Sequence, residues 1–192
     1  LMLERNNITP AAGNILVTGA SGGLGSIAVA LLAGLGYRVV ASTAKLEEID
    51  FLQLLGAAEV IDRTLLSTPN HQPLQKARWI GVIDAVGSHT LANALAQTAY
   101  GGIVAACGLA QGMGLPTTVA PFILRQVQLV GIDSSMAPIE LRKRAWQRLT
   151  TDLSAIKLET ITREISLAEV IPTTYKLLSG HLRGRIVVNV NS

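Results

Sequence analysis

Ile15-Leu16-Val17-Thr18-Gly19-Ala20-Ser21-Gly22-Gly23-Leu24-Gly25 decides the fold: an apolar run breaks into a glycine-rich turn. An apolar, alanine-rich segment, Ser26 to Leu35, follows directly. Strand, tight turn, helix in that order is the layout of a phosphate-binding βα unit. Glycines let the chain turn sharply and let an anion approach the backbone, while the N–H groups of the helix start face it. Whether the loop holds a dinucleotide, and which one, has to be read from the residues around it.

Working outward, the first strand is Asn14 to Thr18 and the first helix runs from Gly23 to Leu35, stopped by Gly36. Arg38 to Thr43 is a second strand, Leu46 to Leu55 has helical periodicity and closes at Gly56, and Glu59 to Ile61 is a third strand. Asp62 to Ala77 is polar, with Pro69 and Pro73, and has room for only a short helix. Trp79 to Val86 is the fourth strand, Thr90 to Thr98 a helix, and Ile103 to Cys107 a fifth strand after Gly101-Gly102. A glycine-rich loop, Gly108 to Thr118, leads to a helical turn over Pro121 to Arg125 and a sixth strand over Val127 to Asp133. Ile139 to Leu153 is an amphipathic helix with Arg142, Lys143, Arg144 and Arg148 on its polar face. This alternation predicts an α/β Rossmann-type fold, a doubly wound parallel six-stranded sheet of order 3-2-1-4-5-6. Residues 1–153 would form that domain. Residues 154–192 form a strand-helix-strand tail: Thr162 to Ile165, Leu167 to Ser179 and Arg185 to Val190. Six strands are complete by Asp133, so the tail is expected to pair with something outside the domain. Leu1 to Pro10 reads as the end of a helix or a linker, which suggests the later portion of a longer protein.

Composition narrows the class. The 192 residues are 49% apolar and 15% charged with a net charge of +3, which suits one core-rich globular domain whose strands are covered on both faces. The arginine cluster lacks the interleaved aromatics of a single-strand nucleic-acid binder and reads as the wet face of its helix. Cys107 is alone, which excludes an internal disulfide or a multi-cysteine zinc site, and its apolar surroundings suggest a core thiol. His71, His89 and His181 show no metal-ligand spacing, so no metal site is expected. The most apolar stretch, Gly22 to Gly36, is too short and glycine-rich for a membrane span. The plain expectation is a cytoplasmic enzyme domain, with no nucleic acid and no membrane among its partners.

The glycine loop fits more than one pattern. Gly19-Ala20-Ser21-Gly22-Gly23 matches the nucleophile elbow of α/β-hydrolases, with Asp84 or Asp133 and His181 as formal partners. That elbow normally follows several strands, and only one precedes it here. Thr18-Gly19-x-x-x-Gly23-x-Gly25 matches short-chain dehydrogenases, but Tyr37, Tyr100 and Tyr175 each lack the lysine four residues on that would lower the tyrosine pKa. A purely structural glycine loop, holding no ligand, is the bland alternative.

The third pattern is Ala20-Ser21-Gly22-Gly23-Leu24-Gly25. With Val82-Ile83-Asp84-Ala85-Val86-Gly87 and Gly101-Gly102-Ile103-Val104-Ala105-Ala106-Cys107-Gly108, the chain resembles the medium-chain dehydrogenase/reductase superfamily, in its zinc-independent quinone-oxidoreductase branch. Ala105-Ala106-Cys107-Gly108-Leu109-Ala110, Leu115-Pro116-Thr117-Thr118-Val119, Pro121-Phe122-Ile123-Leu124-Arg125 and Ala145-Trp146-Gln147-Arg148-Leu149 are similar to its bacterial acryloyl-CoA reductase subgroup. The resemblance implies an N-terminal GroES-like catalytic domain, absent here, on which the tail would pack. It also implies hydride transfer from NADPH to an α,β-unsaturated carbonyl, either an enoyl thioester or a quinone. A non-catalytic NADPH-binding module is the alternative from another class.

The cofactor is read from the second strand. NAD-preferring sites place an acid at its end to bind the ribose 2′-OH. No Asp or Glu occurs between Glu4 and Glu47, and Ser42-Thr43-Ala44-Lys45 stands there instead. Hydroxyls and a cation suit a 2′-phosphate. The resemblance places a Ser-x-Arg there, which maps onto Thr43-x-Lys45. NADPH is therefore expected, with its pyrophosphate on Ser21, Gly22, Gly23 and Leu24 and its 2′-phosphate on Thr43, Ala44 and Lys45. Arg63 would add charge on the adenine side. Val86, Leu109, Ile132 and Ser134 would lie near the nicotinamide, although core packing is the bland reading of Leu109 and Ile132. Arg185 and Asn191 are weaker candidates for phosphate contact in a full enzyme. No residue of the chain is a credible catalytic acid or base; Asp84 reads as structural or as a ribose ligand. The apolar edge strand over residues 127–133 suggests a homodimer formed across it.

Overall fold

The computed structural model describes residues 1–191. A short helix α1 (Met2–Arg5) precedes β1 (Asn14–Thr18), α2 (Gly23–Gly34), β2 (Arg38–Thr43), α3 (Ile49–Leu55) and β3 (Glu59–Asp62). Then come α4 (Thr64–Ser67), β4 (Trp79–Asp84), α5 (Ser88–Ala96), β5 (Thr98–Ala106), α6 (Ala120–Arg125), β6 (Gln128–Gly131) and α7 (Ile139–Asp152). The first six strands form one parallel sheet in the order β3-β2-β1-β4-β5-β6, as the sequence pattern predicts. β1 lies at its centre, so the chain reverses direction across the sheet beside the glycine loop. Ligands of open α/β sheets bind at such a switch point, outside the carboxyl ends of the strands.

Both faces of the sheet are buried, which is why its strands read as unbroken apolar runs. Ile15, Val17, Val39, Ala41 and Ile103 pack with Phe51, Leu52 and Leu55 of α3 and with α2. Leu16, Val40, Val82 and Val104 pack on the other face with Trp79, Leu91 and Leu95. Each fully buried Val, Leu, Ile or Phe side chain contributes about 1.5–3 kcal/mol. The buried Trp79 indole donates to Ala94 O at 2.9 Å, so its polar edge carries no penalty.

Apart from strand ends that move by one or two residues, so that β4 stops at Asp84 and β6 covers Gln128–Gly131 and not residues 127–133, three features differ from the sequence reading. β5 begins at Thr98 rather than Ile103, and its register with β4 shifts between Trp79 and Gly81. Gly101 takes a φ of +70°, and a Cβ on Gly102 would sit 2.7 Å from Ile80 O. The glycine pair that reads as a strand start is thus an irregularity inside the strand. Secondly, α8 (Ala155–Ile161) was not predicted. Thirdly, the tail strands β7 (Thr162–Ser166) and β8 (Arg185–Asn189) have a partner within the chain, each keeping one outer edge open. They pair with each other in parallel, joined through α9 (Val170–Leu178). A βαβ unit satisfies its own inner ladder. Residues before β7 are tied to the six-stranded sheet and its helices: Ile161 belongs to the core cluster of α2 and α3, and Lys157 Nζ donates to Leu55 O at 2.8 Å.

Candidate functional site

The site begins where β1 ends. Gly19 has a φ of +59°, and the chain turns tightly enough for Gly22 N–H to donate to Gly19 O at 3.0 Å. Ala20 N–H donates to Ser42 O at 3.0 Å, which fixes the loop against β2. A Cβ on Gly25 would run into the Gly19 carbonyl and lie 2.6 Å from Ala20 Cα. Only glycine allows helix and loop to approach so closely, and this aims the start of α2 at the carboxyl edge of the sheet. No side chain caps α2. The first-turn N–H groups of a helix have no intrahelical acceptor, and they carry its positive dipole end. The Arg185 guanidinium lies over this turn, because a Cβ on Gly23 would stand 2.8 Å from Arg185 Cζ. An uncapped helix start beside a guanidinium is a cradle for a pyrophosphate. Ser21, Gly22, Gly23 and Leu24 line this turn. Asn191 is not: it is exposed, and its N–H donates to Asn189 Oδ1.

On the adenosine side, Ser21 Oγ and Thr43 Oγ1 share a hydrogen bond of 3.0 Å, and Thr43 Oγ1 accepts Lys45 N–H at 3.0 Å. Ala44 is exposed and Lys45 half-buried. Lys45 Nζ donates to Leu182 O, so the cation is already held over the end of β2 by the tail. Arg63 is exposed and begins the next turn; its N–H donates to Thr43 O at 2.8 Å. Among the described residues, Ser42 Oγ is buried without a hydrogen-bond partner at this same strand end. The residues present therefore fit a phosphorylated dinucleotide.

The segment 182–185 straps the two halves of this site together. Besides the Leu182 and Arg185 contacts, Gly184 N–H donates to Ser21 O at 2.9 Å. Arg183 pairs with Glu48 at 2.6 Å and lies 4.7 Å above the Phe51 ring. Sequence reasoning missed Glu48 and Arg183. The only signal was a glycine between two arginines just before the last strand.

Asp84, fully buried, closes the next loop. Its carboxylate accepts Thr18 Oγ1–H at 2.7 Å and Gly87 N–H at 2.8 Å. Burial pushes its pKa up against those lowering hydrogen bonds. Asp84 thus splices the ends of β1 and β4, a structural role.

The four residues expected near the nicotinamide separate into two pairs. Val86 packs on Gly19, and its carbonyl accepts Gln111 N–H at 2.8 Å in the loop that carries Leu109. Ile132 N–H donates to Ala106 O at 2.9 Å, and Ile132 and Ser134 line an apolar cavity of about 1210 Å³. Leu109 is 58% exposed and Ile132 42%, so neither is a core residue. The cavity runs from Cys107 over Ile83, Ala105 and Val130 to α1, α2 and α7. Cys107 is half-buried rather than a core thiol; burial and the nearby Asp84 carboxylate push its pKa up to about 11, so it is no nucleophile at neutral pH. The hydrolase alternative also fails geometrically. Ser21 bonds to Thr43, Asp84 to Thr18, Asp133 caps its own turn, and His181 bonds to Ser179. Among the described residues no group of three or more His, Cys, Asp or Glu side chains could hold a metal ion, and no helix is long and apolar enough to cross a membrane.

Sheet order, glycine loop and uncapped α2 define a dinucleotide-binding α/β domain. Residues 23–151 match the zinc-binding dehydrogenase family, to which the chain belongs. It is 46% identical over 192 residues to the acrylyl-CoA reductase AcuI of Ruegeria pomeroyi, covering all of this chain and 58% of that protein. The structure superposes with a TM-score of 0.95 on Escherichia coli YhdH with bound NADPH, at 48% identity, covering 99% of this chain and 58% of that one. Bacillus subtilis yhfP with NAD bound gives a TM-score of 0.93 at 44% identity, covering 98% of this chain and 58% of that one. The chain thus spans somewhat over half the length of these relatives.

Proposed function

We propose that this chain is the NADPH-binding part of a zinc-independent reductase that delivers hydride to an α,β-unsaturated carbonyl. The enoyl thioester of an acryloyl-CoA type, or a quinone, is the substrate class. One observation carries the reading: the end of β2 bears Thr43 and Lys45 where an NAD site would have an acid, a short step from the α2 cradle. That a relative at 48% identity is seen with NADPH supports it. The NAD-bound relative makes the preference worth measuring.

Ser21 to Leu24 and Arg185 hold the pyrophosphate, and Thr43, Ala44, Lys45 and Arg63 hold the phosphorylated adenosine. Val86, Leu109, Ile132 and Ser134 face the nicotinamide end. When bound, NADPH supplies the hydride for the β-carbon. The chain orients that donor and shields one side of it; proton delivery to the α-carbon falls to residues outside these 192. A GroES-like domain would complete the pocket, residues 1–153 forming the nucleotide domain and 154–192 the tail beneath it. Alone, the chain would bind NADPH with little or no turnover. Two copies would join across β6, and the single cysteine and absent disulfide suit the cytoplasm.

Replacing Lys45 with alanine tests this directly. A charge-assisted contact is worth about 1.5–3 kcal/mol, so the NADPH dissociation constant should rise about tenfold or more while that of NADH holds. Equal losses for both dinucleotides would remove Lys45 from the 2′-phosphate.

A further inference from the structure

Arg183 has no role in the site as described so far, yet its backbone is fixed on both sides by that site. The preceding carbonyl, Leu182 O, takes Lys45 Nζ, and the following N–H, Gly184, donates to Ser21 O. Its side chain reaches the turn after β2. Nη1 lies 2.6 Å from Glu48 Oε2, and the guanidinium stacks 4.7 Å over Phe51. Glu48 N–H in turn donates to Lys45 O at 3.0 Å. Two cations and one carboxylate therefore meet where the ribose 2′ position is expected.

The balance of charges is informative. The Arg183 side chain is 53% exposed while that of Glu48 is only 17% exposed, so solvent reaches the pair from the arginine side. An incoming phosphate therefore meets the guanidinium on its open side. A phosphate carries more charge and more acceptors, and guanidinium binds it through two parallel hydrogen bonds. Phe51 is buried, so its ring keeps the guanidinium plane near the turn as the phosphate arrives.

We propose that Arg183 is a second specificity-determining residue for the 2′-phosphate, held by Glu48 in the free protein and passed to the phosphate on binding. This rests on the reading of the site as an NADP(H) site. Lys45 gives a point charge, and Arg183 adds the fork.

Fluorescence or calorimetric titration of the full-length protein with NADPH and with NADH tests it. Arg183→Gln should weaken NADPH about tenfold and leave NADH within about twofold, with Arg183→Lys in between. Glu48→Gln removes the competing carboxylate and should tighten NADPH, a gain that disappears in the double variant Glu48→Gln with Arg183→Gln. Arg183→Gln leaves the half-buried Glu48 unpaired, so the double variant, which removes both charges, is the control for folding, and its ligand-free unfolding midpoint should lie nearer the parent's than that of Arg183→Gln. Equal weakening of both dinucleotides would mean that Arg183 only packs the strap, and no change would mean that it does nothing; either overturns the proposal. If Lys45→Ala discriminates between the dinucleotides and Arg183→Gln does not, Arg183 alone falls. If the parent binds neither dinucleotide, or both alike whatever stands at position 45, the NADP(H) reading falls and takes the proposal with it.

Discussion

At the scale of single residues, Asp84 shows how a buried carboxylate can hold a binding loop without taking part in chemistry. Removing it as Asp84→Ala would leave the Thr18 hydroxyl and the Gly87 N–H without their acceptor, a cost of about 1–3 kcal/mol. The pH dependence has a definite sign. Burial raises the folded pKa above the unfolded one, so the folded chain takes up this proton more readily. The contribution of Asp84 is therefore most favourable below the ordinary carboxylate range and is lost as pH rises through its raised value. Glu4 works the other way: hydrogen bonds from Arg148 lower its pKa, so its contribution is present above the unfolded value and lost as pH falls. Urea midpoints measured against pH separate the two. The descending limb should vanish in Asp84→Ala, and a profile parallel to the parent's would mean another group causes it. Much of the site is legible at this scale, since Ser21 to Leu24 and Thr43 to Lys45 announce themselves by glycine spacing and by a missing acid. Glu48 and Arg183 do not, because a charge pair separated by 135 residues has no periodicity to betray it.

Among the elements, those with strong patterns were legible and those set by tertiary contacts were not. β2 spans Arg38–Thr43 as predicted because its apolar run ends in a hydroxyl pair at the loop. α8 was hidden: at seven residues it is too short for a helical stripe, and Ile156 and Leu158 are exposed. It is held by Ile161 in the core and by Lys157 on the end of α3. The pairing of β7 with β8 was equally unreadable, because an apolar strand does not name its neighbour. Gly184 is the hinge of that arrangement. It adopts a φ of +60°, and a methyl there would collide with the Ile161 carbonyl. Gly184→Ala should break the bond to Ser21 and lift the strap. Amides in residues 182–189 should then exchange faster, with dinucleotide affinity falling alongside. Unchanged protection would mean that Arg183, Arg185 and the Lys45 contact to Leu182 O hold the strap without that bond.

For the whole molecule, the open question is what meets the sheet's far edge. Ile132 N–H points inward to Ala106 O, so by the strand's alternation the N–H of Gly131 points outward. Nothing lies within 4 Å of where a Cβ on Gly131 would stand. Gly131→Pro should therefore delete one outward donor without breaking a bond to β5, and turn the proposed dimer of the full-length protein into a monomer by mass. A dimer that survives the change would have to form elsewhere. The strap has a different consequence, one of timing. Lys45 and Leu182 are 137 residues apart. At about 5–20 residues per second, a ribosome needs roughly 7–27 seconds to travel between them. The glycine loop and the end of β2 are thus synthesised long before the strap that lies over them. The pocket is completed by late-made residues closing over early-made ones.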